Sequence, residues 1–359
     1  MAIILAAPRL ESGKFTKANL KYERRNIMKK KGFTLVELLV VIAIIAMLLA
    51  ILMPALGKVR QLAYRLMCGT NQSGLGKAMM VYSNENDESF PRSGVSTSVW
   101  LDTTSGSGTL GWQWDKSDVF TTGTGVAANA KATVSSSLYL LIKYADVSGA
   151  QFVCQGSDQK KFELETASAK ASEQNYSSVA KDLTECWDFG TIKGGSGASA
   201  LGPWNYVSYS YQVPWTSYAT GVSSPAGVGL MSDKSPYYDS TTLPADLTAF
   251  LVISATADLD KSDLMKKGNA RPHQSEGQNV LYGDGHVTFE KMSNVGVEQD
   301  NIYTMWKKNN TPIAETDKQI GADPRTKTPG TVNTGTTPSG CAPMATDDTL
   351  LVNDGPKIQ

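Results

Sequence analysis

One long apolar run near the start of the chain dominates the hydrophobic pattern. Sixteen consecutive apolar residues extend from Leu38 to Met53, and the wider segment 33–56 adds only Thr34, Glu37 and Pro54 as other residue types. At a rise of about 1.5 Å per residue, a helix over this segment is about 36 Å long, which is enough to cross the hydrocarbon core of a bilayer. The pattern therefore predicts a transmembrane helix over residues 33–56.

Two other kinds of segment also have apolar runs. A buried core helix is disfavoured because the run follows the basic cluster Lys29-Lys30-Lys31, which is typical of the cytoplasmic side of a membrane span. An ordinary secretory signal peptide ends in a small-x-small cleavage site, but the alanines of this run never stand two positions apart. We therefore expect a single-pass membrane protein, with its N-terminus in the cytoplasm and its body outside.

Apolar residues continue at helical spacing after the span. They recur in steps of three and four, with Gly69-Thr70 as a candidate interruption, and turn-forming residues follow from Asn84. This predicts an amphipathic continuation of the same helix over residues 57–90, whose apolar stripe packs on a sheet. The stripe consists of Leu56, Val59, Leu62, Ala63, Leu66, Met67, Leu75, Met79 and Tyr82.

Residues 91–310 have the alternating patterns of a β-rich head. The clearest signal is Asp284-Gly285 between two short alternating segments, which predicts a β-hairpin. Residues 311–359 are polar and contain Pro, Gly and Thr, which predicts a disordered tail. The expected fold is α+β, with a long N-terminal helix on an antiparallel sheet. Strands are predicted at 152–154, 206–211, 229–232, 279–282 and 286–289, and a short helix at 136–144.

The formal net charge of zero conceals an asymmetry. Residues 1–32 hold nine Lys/Arg and two Glu, which leaves 25 basic and 32 acidic residues after Gly32. A body with a net charge of −7 argues against nucleic acid as a partner, because phosphate binding needs a basic surface.

The four cysteines form no Cys-x-x-Cys pair, which disfavours a zinc or thioredoxin-type site. Outside the cytoplasm, disulfides are permitted. We expect Cys68 on the helix to pair with Cys154, on a strand that is predicted to cover that helix, and Cys154–Cys186 is the alternative.

Metal and catalytic sites have weaker signals. Asp233, His273, Asp284 and His286 have ligand chemistry that suits zinc, manganese or iron, but Asp-Gly is also the commonest hairpin turn. Ser232, Asp233 and His273 contain the groups of a catalytic triad, but the G-x-S-x-G elbow is missing. We therefore expect a structural hairpin that closes the head, with no enzyme activity and no cofactor.

The segment Lys30-Lys31-Gly32-Phe33-Thr34-Leu35-Val36-Glu37 resembles the cleavage and methylation motif of type IV prepilins and type II secretion pseudopilins. The resemblance implies a location in the bacterial inner membrane, where a prepilin peptidase cuts after Gly32 and Phe33 is then methylated. It also implies that Glu37 neutralises the free amine of a neighbouring subunit during assembly. Residues 1–32 are then a leader, and the usual length of such leaders places the translation start at Met28.

The segment from His273 to His286 resembles the processing-associated module of large bacterial pilin-like proteins, in which Asp-Gly follows a His. Ten residues separate His273 from Asp284, one more than in the named pattern. Two functions remain open: a subunit of a type IV pilus or secretion pseudopilus, whose partners are the peptidase and other pilin subunits, and a surface binding module on a pilin-type anchor.

Overall fold

The computed structural model describes residues 33–94, 99–100, 131–163, 182–189, 202–215, 218–238, 244–251, 262–306, 314–324 and 343–354. The chain divides into two compact units, Met1–Ala55 and Leu56–Gln359. Helix α1 (Leu35–Asn84) begins in the first unit and ends in the second. Gly32 and the rest of the expected leader lie outside the described residues.

In the first unit, the described residues are the start of α1 and the two residues before it. Its apolar side chains are exposed, and the most apolar 18-residue window of α1 has no buried residue. By length and composition, α1 is able to cross a membrane. The helix continues through Pro54 and through Gly69-Thr70, so the interruption expected at Gly69-Thr70 is absent.

In the second unit, α1 buries one face only from Cys68 onwards. Leu75, Met79 and Tyr82 are buried as the stripe predicts, whereas Val59 and Leu62 are 62% and 55% exposed. The expectation of one continuous buried stripe is therefore wrong for its first half. The helix ends at Asn84, where the turn-forming residues begin as the sequence predicts, and residues 85–90 of the predicted amphipathic segment are not helical.

The head is built on a five-stranded antiparallel sheet. The described strands are β1 (Val99–Trp100), β2 (Lys131–Ala132), β3 (Tyr209–Gln212), β4 (Gly229–Asp233), β5 (Gln278–Tyr282), β6 (Val287–Glu290) and β7 (Leu351–Val352). Among the described residues, the order of strands in the sheet is β6-β5-β4-β3-β7. A separate pair of two-residue strands, β1 and β2, is parallel. The predicted α+β fold with an antiparallel sheet is confirmed.

Helix α1 packs closely on β5. A Cβ atom added at Gly76 would lie 2.8 Å from Cδ1 of Leu281, which is fully buried. The β5–β6 hairpin turns at Gly285, whose φ of +88° is in the region that favours glycine. The hairpin predicted around Asp284-Gly285 is therefore present, and it lies directly against α1.

Shorter elements complete the head. The described helices after α1 are α2 (Val134–Tyr144), α3 (Ala245–Leu251), α4 (Ser262–Met265) and α5 (Glu315–Gln319). The strand expected at 152–154 is absent, because Gly149–Phe152 forms a 3-10 turn. Two contacts stabilise the turn: Ser148 caps it, and Phe152 packs edge-on against Phe189, with 5.0 Å between the ring centroids.

The expectation of a disordered tail after residue 310 is wrong for the described residues 314–324 and 343–354. Leu351 and Val352 are fully buried and pair with β3. Two residues further on, the Asp354 carboxylate accepts the Val134 and Ser135 N–H groups at the start of α2, at 3.3 and 2.7 Å. The end of the chain thus supplies both a sheet edge and a helix cap.

Candidate functional site

Two of the predicted processing and assembly residues, Phe33 and Glu37, lie just before α1 and in its first turn. Phe33 is 70% exposed. The Thr34 N–H and hydroxyl each donate to Glu37 Oε2 at 2.8 Å, and the Glu37 N–H donates to the Thr34 hydroxyl at 3.2 Å. This reciprocal capping box satisfies N–H groups that a helix start leaves without intrahelical partners. The pattern Thr34-x-x-Glu37 is readable in the sequence, and our sequence analysis missed it.

The Asp233 carboxylate, at the end of β4, connects three parts of the head. Its Oδ2 accepts the Asn279 N–H at 2.7 Å and the Asn279 side-chain amide at 3.2 Å, both from β5. Its Oδ1 accepts the Gln72 amide of α1 at 3.3 Å. Asp233 and Gln72 are fully buried. A buried carboxylate with this many donors holds the helix to the sheet.

His273 completes this cluster. Its Nε2 lies 3.2 Å from Asp233 Oδ2 and 3.8 Å from Cys154 Sγ, and its side chain is 2% exposed. Cys154 is joined to Cys68 of α1 by a disulfide. One ring nitrogen therefore faces both the carboxylate and the sulfur. A catalytic relay uses the two ring nitrogens for different partners, so this arrangement does not provide one.

The four predicted metal candidates do not form one group. Asp233 and His273 meet each other together with Cys68 and Cys154, with all four ligand atoms within 4.8 Å of one another. Asp284 and His286 instead contact each other on the exposed hairpin turn, where the His286 N–H donates to Asp284 Oδ1 at 3.1 Å. That hydrogen bond lowers the pKa of Asp284. Sequence spacing gave no indication that the cysteines join Asp233 and His273, because the contacts are long-range.

Cys186, the other predicted disulfide candidate, is a buried free cysteine. Burial raises the pKa of its thiol to about 11, so the group is a weak nucleophile. Cys341 lies outside the described residues.

A groove of about 500 Å³ lies between α1 and the β5–β6 hairpin. Leu66 and Thr70 line it from the helix, and His286 and Phe289 line it from the hairpin. Arg65 lies over the Phe289 ring at 4.6 Å and forms an ion pair with Glu276. The groove is mixed in character, with apolar walls and a few polar groups.

Buried carboxylates are a feature that sequence reasoning did not find. Burial raises the pKa of Asp188 to about 8, and the nearby Asp354 carboxylate adds to the shift. Burial likewise raises the pKa of Asp348 to about 7 and that of Asp300 well above its usual value. Several of their hydrogen-bond donors come from distant parts of the chain, such as Ser135 for Asp188 and Thr349 for Asp300, so local patterns do not mark these carboxylates as buried.

Comparison with known proteins identifies the N-terminal segment. The family model described as the prokaryotic N-terminal methylation motif matches residues 27–53. The match includes the basic cluster, Gly32, Phe33, Glu37 and most of the apolar run, and it is consistent with a type IV prepilin-like protein. This is a motif of structural pilins rather than of an enzyme family. No curated protein and no solved structure matches the chain.

Proposed function

We propose that the chain is a prepilin-type structural subunit that is cut after Gly32, methylated at Phe33 and assembled into a type IV pilus or a secretion pseudopilus. The observation that carries the proposal is the methylation motif at residues 27–53, followed directly by a helix long and apolar enough to span a membrane. A prepilin peptidase and other pilin-type subunits are the partners that follow from such a motif.

The proposed topology places the leader in the cytoplasm and the head outside. The three lysines before Gly32 favour retention of that end in the cytoplasm. An extracytoplasmic head agrees with the Cys68–Cys154 disulfide, because oxidising compartments allow such bonds to persist. On this account, residues 1–32 are the leader, 33–56 form the span and the head follows α1.

Assembly would use α1 in two ways. Between Leu56 and Met67 the helix exposes apolar side chains, including Val59, Leu62 and Leu66. An exposed apolar stripe of this kind favours association with the helices of like subunits. Glu37 would leave its Thr34 contacts, or share them, to pair with the Phe33 ammonium of a neighbouring subunit. That pairing would take place in a low-dielectric bundle, where an unpaired charge is costly.

Two variants separate the pairing role of Glu37 from its capping role. Glu37→Ala removes the carboxylate, whereas Thr34→Ala removes the reciprocal cap and keeps the carboxylate. Both are expected to insert into the membrane normally, since neither makes the span more polar. The measurement is the yield of sheared fibres and the amount of chain in the membrane fraction, in a host with a pilus or pseudopilus assembly system.

We expect Glu37→Ala to abolish most fibre yield and Thr34→Ala to keep most of it. Equal losses in both variants would mean that Glu37 acts only as a helix cap. Normal fibre yield from Glu37→Ala would reject the assembly role. If the wild-type chain is processed and displayed but never enters fibres, the head is instead a binding module on a pilin-type anchor.

A further inference from the structure

Four side chains with metal-ligand chemistry meet in the interior of the head. Cys68, Cys154, Asp233 and His273 each offer one ligand atom, and these atoms lie within 4.8 Å of one another. None of the four side chains is more than about 4% exposed. They come from α1, the loop after Gly149–Phe152, the end of β4 and the loop before β5. The structure therefore gathers a two-thiol, one-imidazole, one-carboxylate set from four separate elements.

The distances suit a tetrahedral site. With bonds of about 2.0 Å to nitrogen and oxygen and about 2.3 Å to sulfur, neighbouring ligand atoms of a tetrahedral zinc ion are about 3.3–3.8 Å apart. The distance from His273 Nε2 to Asp233 Oδ2 is 3.2 Å, and that to Cys154 Sγ is 3.8 Å. The Cα atoms of Cys68 and Cys154 are 5.3 Å apart. Reduction of the disulfide is thus the main change that the set requires.

Outer contacts already hold one ligand in place. The Asn279 N–H and side-chain amide and the Gln72 amide orient the Asp233 carboxylate. Such hydrogen bonds to a ligating carboxylate are typical of protein metal sites, where they fix its direction before the ion binds. Thiolate and imidazole ligands in a closed, buried set favour zinc over magnesium or calcium, which prefer oxygen ligands.

We propose that the reduced chain binds one Zn²⁺ ion through Cys68, Cys154, His273 and Asp233. The zinc site and the disulfide are then two alternative cross-links between α1 and the rest of the head. Reduction by a dithiol adds two electrons and two protons to the S–S bond, and the dithiol becomes its own disulfide. Zn²⁺ then displaces the two thiol protons, and the neutral imidazole keeps its proton on Nδ1. The bound ion holds both sulfurs as ligands, so it protects them from reoxidation.

The test uses the full chain in detergent, carrying Cys341→Ser so that this additional thiol does not bind the probe. Reduced and oxidised samples are titrated with Co²⁺ as a spectroscopic probe and with Zn²⁺ for elemental analysis. We expect one metal per reduced chain, thiolate-to-cobalt charge-transfer bands with tetrahedral d–d bands, and no stoichiometric binding by the oxidised chain. Zn²⁺ is also expected to slow reformation of the Cys68–Cys154 disulfide, as followed by peptide mapping.

The variants Asp233→Asn and His273→Gln are expected to weaken cobalt binding by more than about tenfold. His286→Gln changes the exposed histidine of the hairpin turn and is the matched control, with unchanged binding. Absence of stoichiometric metal in the reduced Cys341→Ser chain would overturn the proposal, and this comparison does not depend on whether a variant of the four ligands folds. Binding that persists at full strength in Cys68→Ser or in oxidised chain would also overturn it. These metal-binding results do not depend on cleavage at Gly32, so failure of the zinc proposal would leave the prepilin proposal unaffected.

Discussion

Gln72 of α1 donates a hydrogen bond across 3.3 Å to Oδ1 of Asp233 at the end of β4, and both side chains are fully buried. The contact links a helix that begins in the apolar N-terminal segment to the middle of the sheet. The Cys68–Cys154 disulfide lies one turn earlier on the same helix. A polar contact and a covalent bond thus fasten neighbouring turns of α1, and this region is where we expect substitutions in the head to be most costly.

The first prediction is that the buried His273–Asp233 pair contributes more to stability than the exposed His286–Asp284 pair. His273→Ala should lower the free energy of unfolding of the head by about 2–4 kcal/mol, because it opens a cavity and removes a buried partner of Asp233. Asp284→Ala should lower it by less than about 1 kcal/mol, since the turn is half-exposed and water replaces the lost contact. Chemical denaturation of the oxidised chain measures both. Chelation with EDTA should leave both curves unchanged. Equal costs for the two variants would contradict this account.

The second prediction concerns two glycines of α1 that differ only in their surroundings. A Cβ at Gly74 meets the Gln151 amide at an ordinary 3.8 Å, so Gly74→Ala should raise stability by about 0.5–1 kcal/mol through helix propensity. A Cβ at Gly76 would lie 2.8 Å from a methyl group of the buried Leu281. Gly76→Ala should therefore be at least about 1 kcal/mol less stable than Gly74→Ala, because the steric overlap destabilises the fold by more than the higher helix propensity of alanine stabilises it. The same denaturation assay compares them, and equal stabilisation would show that α1 does not approach β5 closely.

The third prediction is a pH dependence. The pKa of Asp188 is raised to about 8 by burial and by Asp354, whereas an unfolded Asp ionises near about 4. Between these two pH values, Asp188 is protonated in the folded chain and ionised in the unfolded chain. The stabilisation that this proton gives the folded state is therefore fully present below about pH 4 and is lost as the pH rises towards 8. We expect the free energy of unfolding to fall from pH 5 to pH 8. Asp188→Asn, which stays neutral, should make that fall smaller.

The control for this dependence is Asp182→Asn. Asp182 is exposed, and the Thr184 N–H lowers its pKa, so its replacement should leave the fall between pH 5 and pH 8 in place. Asp348, with a pKa of about 7, contributes in the same direction as Asp188, and so some fall should remain in Asp188→Asn. Superimposable profiles for wild type and Asp188→Asn would contradict the assignment.

The sequence predicted the parts of the fold that local chemistry determines. The long apolar run, the turn formers after Asn84 and Asp284-Gly285 between alternating segments each indicate an element without reference to distant residues. The α+β class and the hairpin followed from these signals. The capping box at Thr34 and Glu37 belongs to the same kind of signal.

Parts that depend on distant partners could not be predicted in this way. Leu351 and Val352 form a strand only because β3 offers an open edge, and two residues are too few to show a period. The sequence likewise gives no reason for Cys68, Asp233 and His273 to converge. Gln72 and Asp233 are 161 residues apart, and Cys154 and His273 are 119 residues apart, so the local hydrophobic pattern does not indicate these contacts.

The central claim is that the chain is processed as a prepilin, and the mature N-terminus tests it most directly. Full-length chain, expressed with a prepilin peptidase and extracted from membranes, is analysed by mass spectrometry of its N-terminal peptide. The account predicts a mature chain that begins at methylated Phe33, and an uncut chain when Gly32 is replaced, as in Gly32→Val, since the peptidase needs a small residue there. A mature chain that begins elsewhere, such as near Gly57, or that keeps residues 28–32 in the presence of active peptidase, would contradict it.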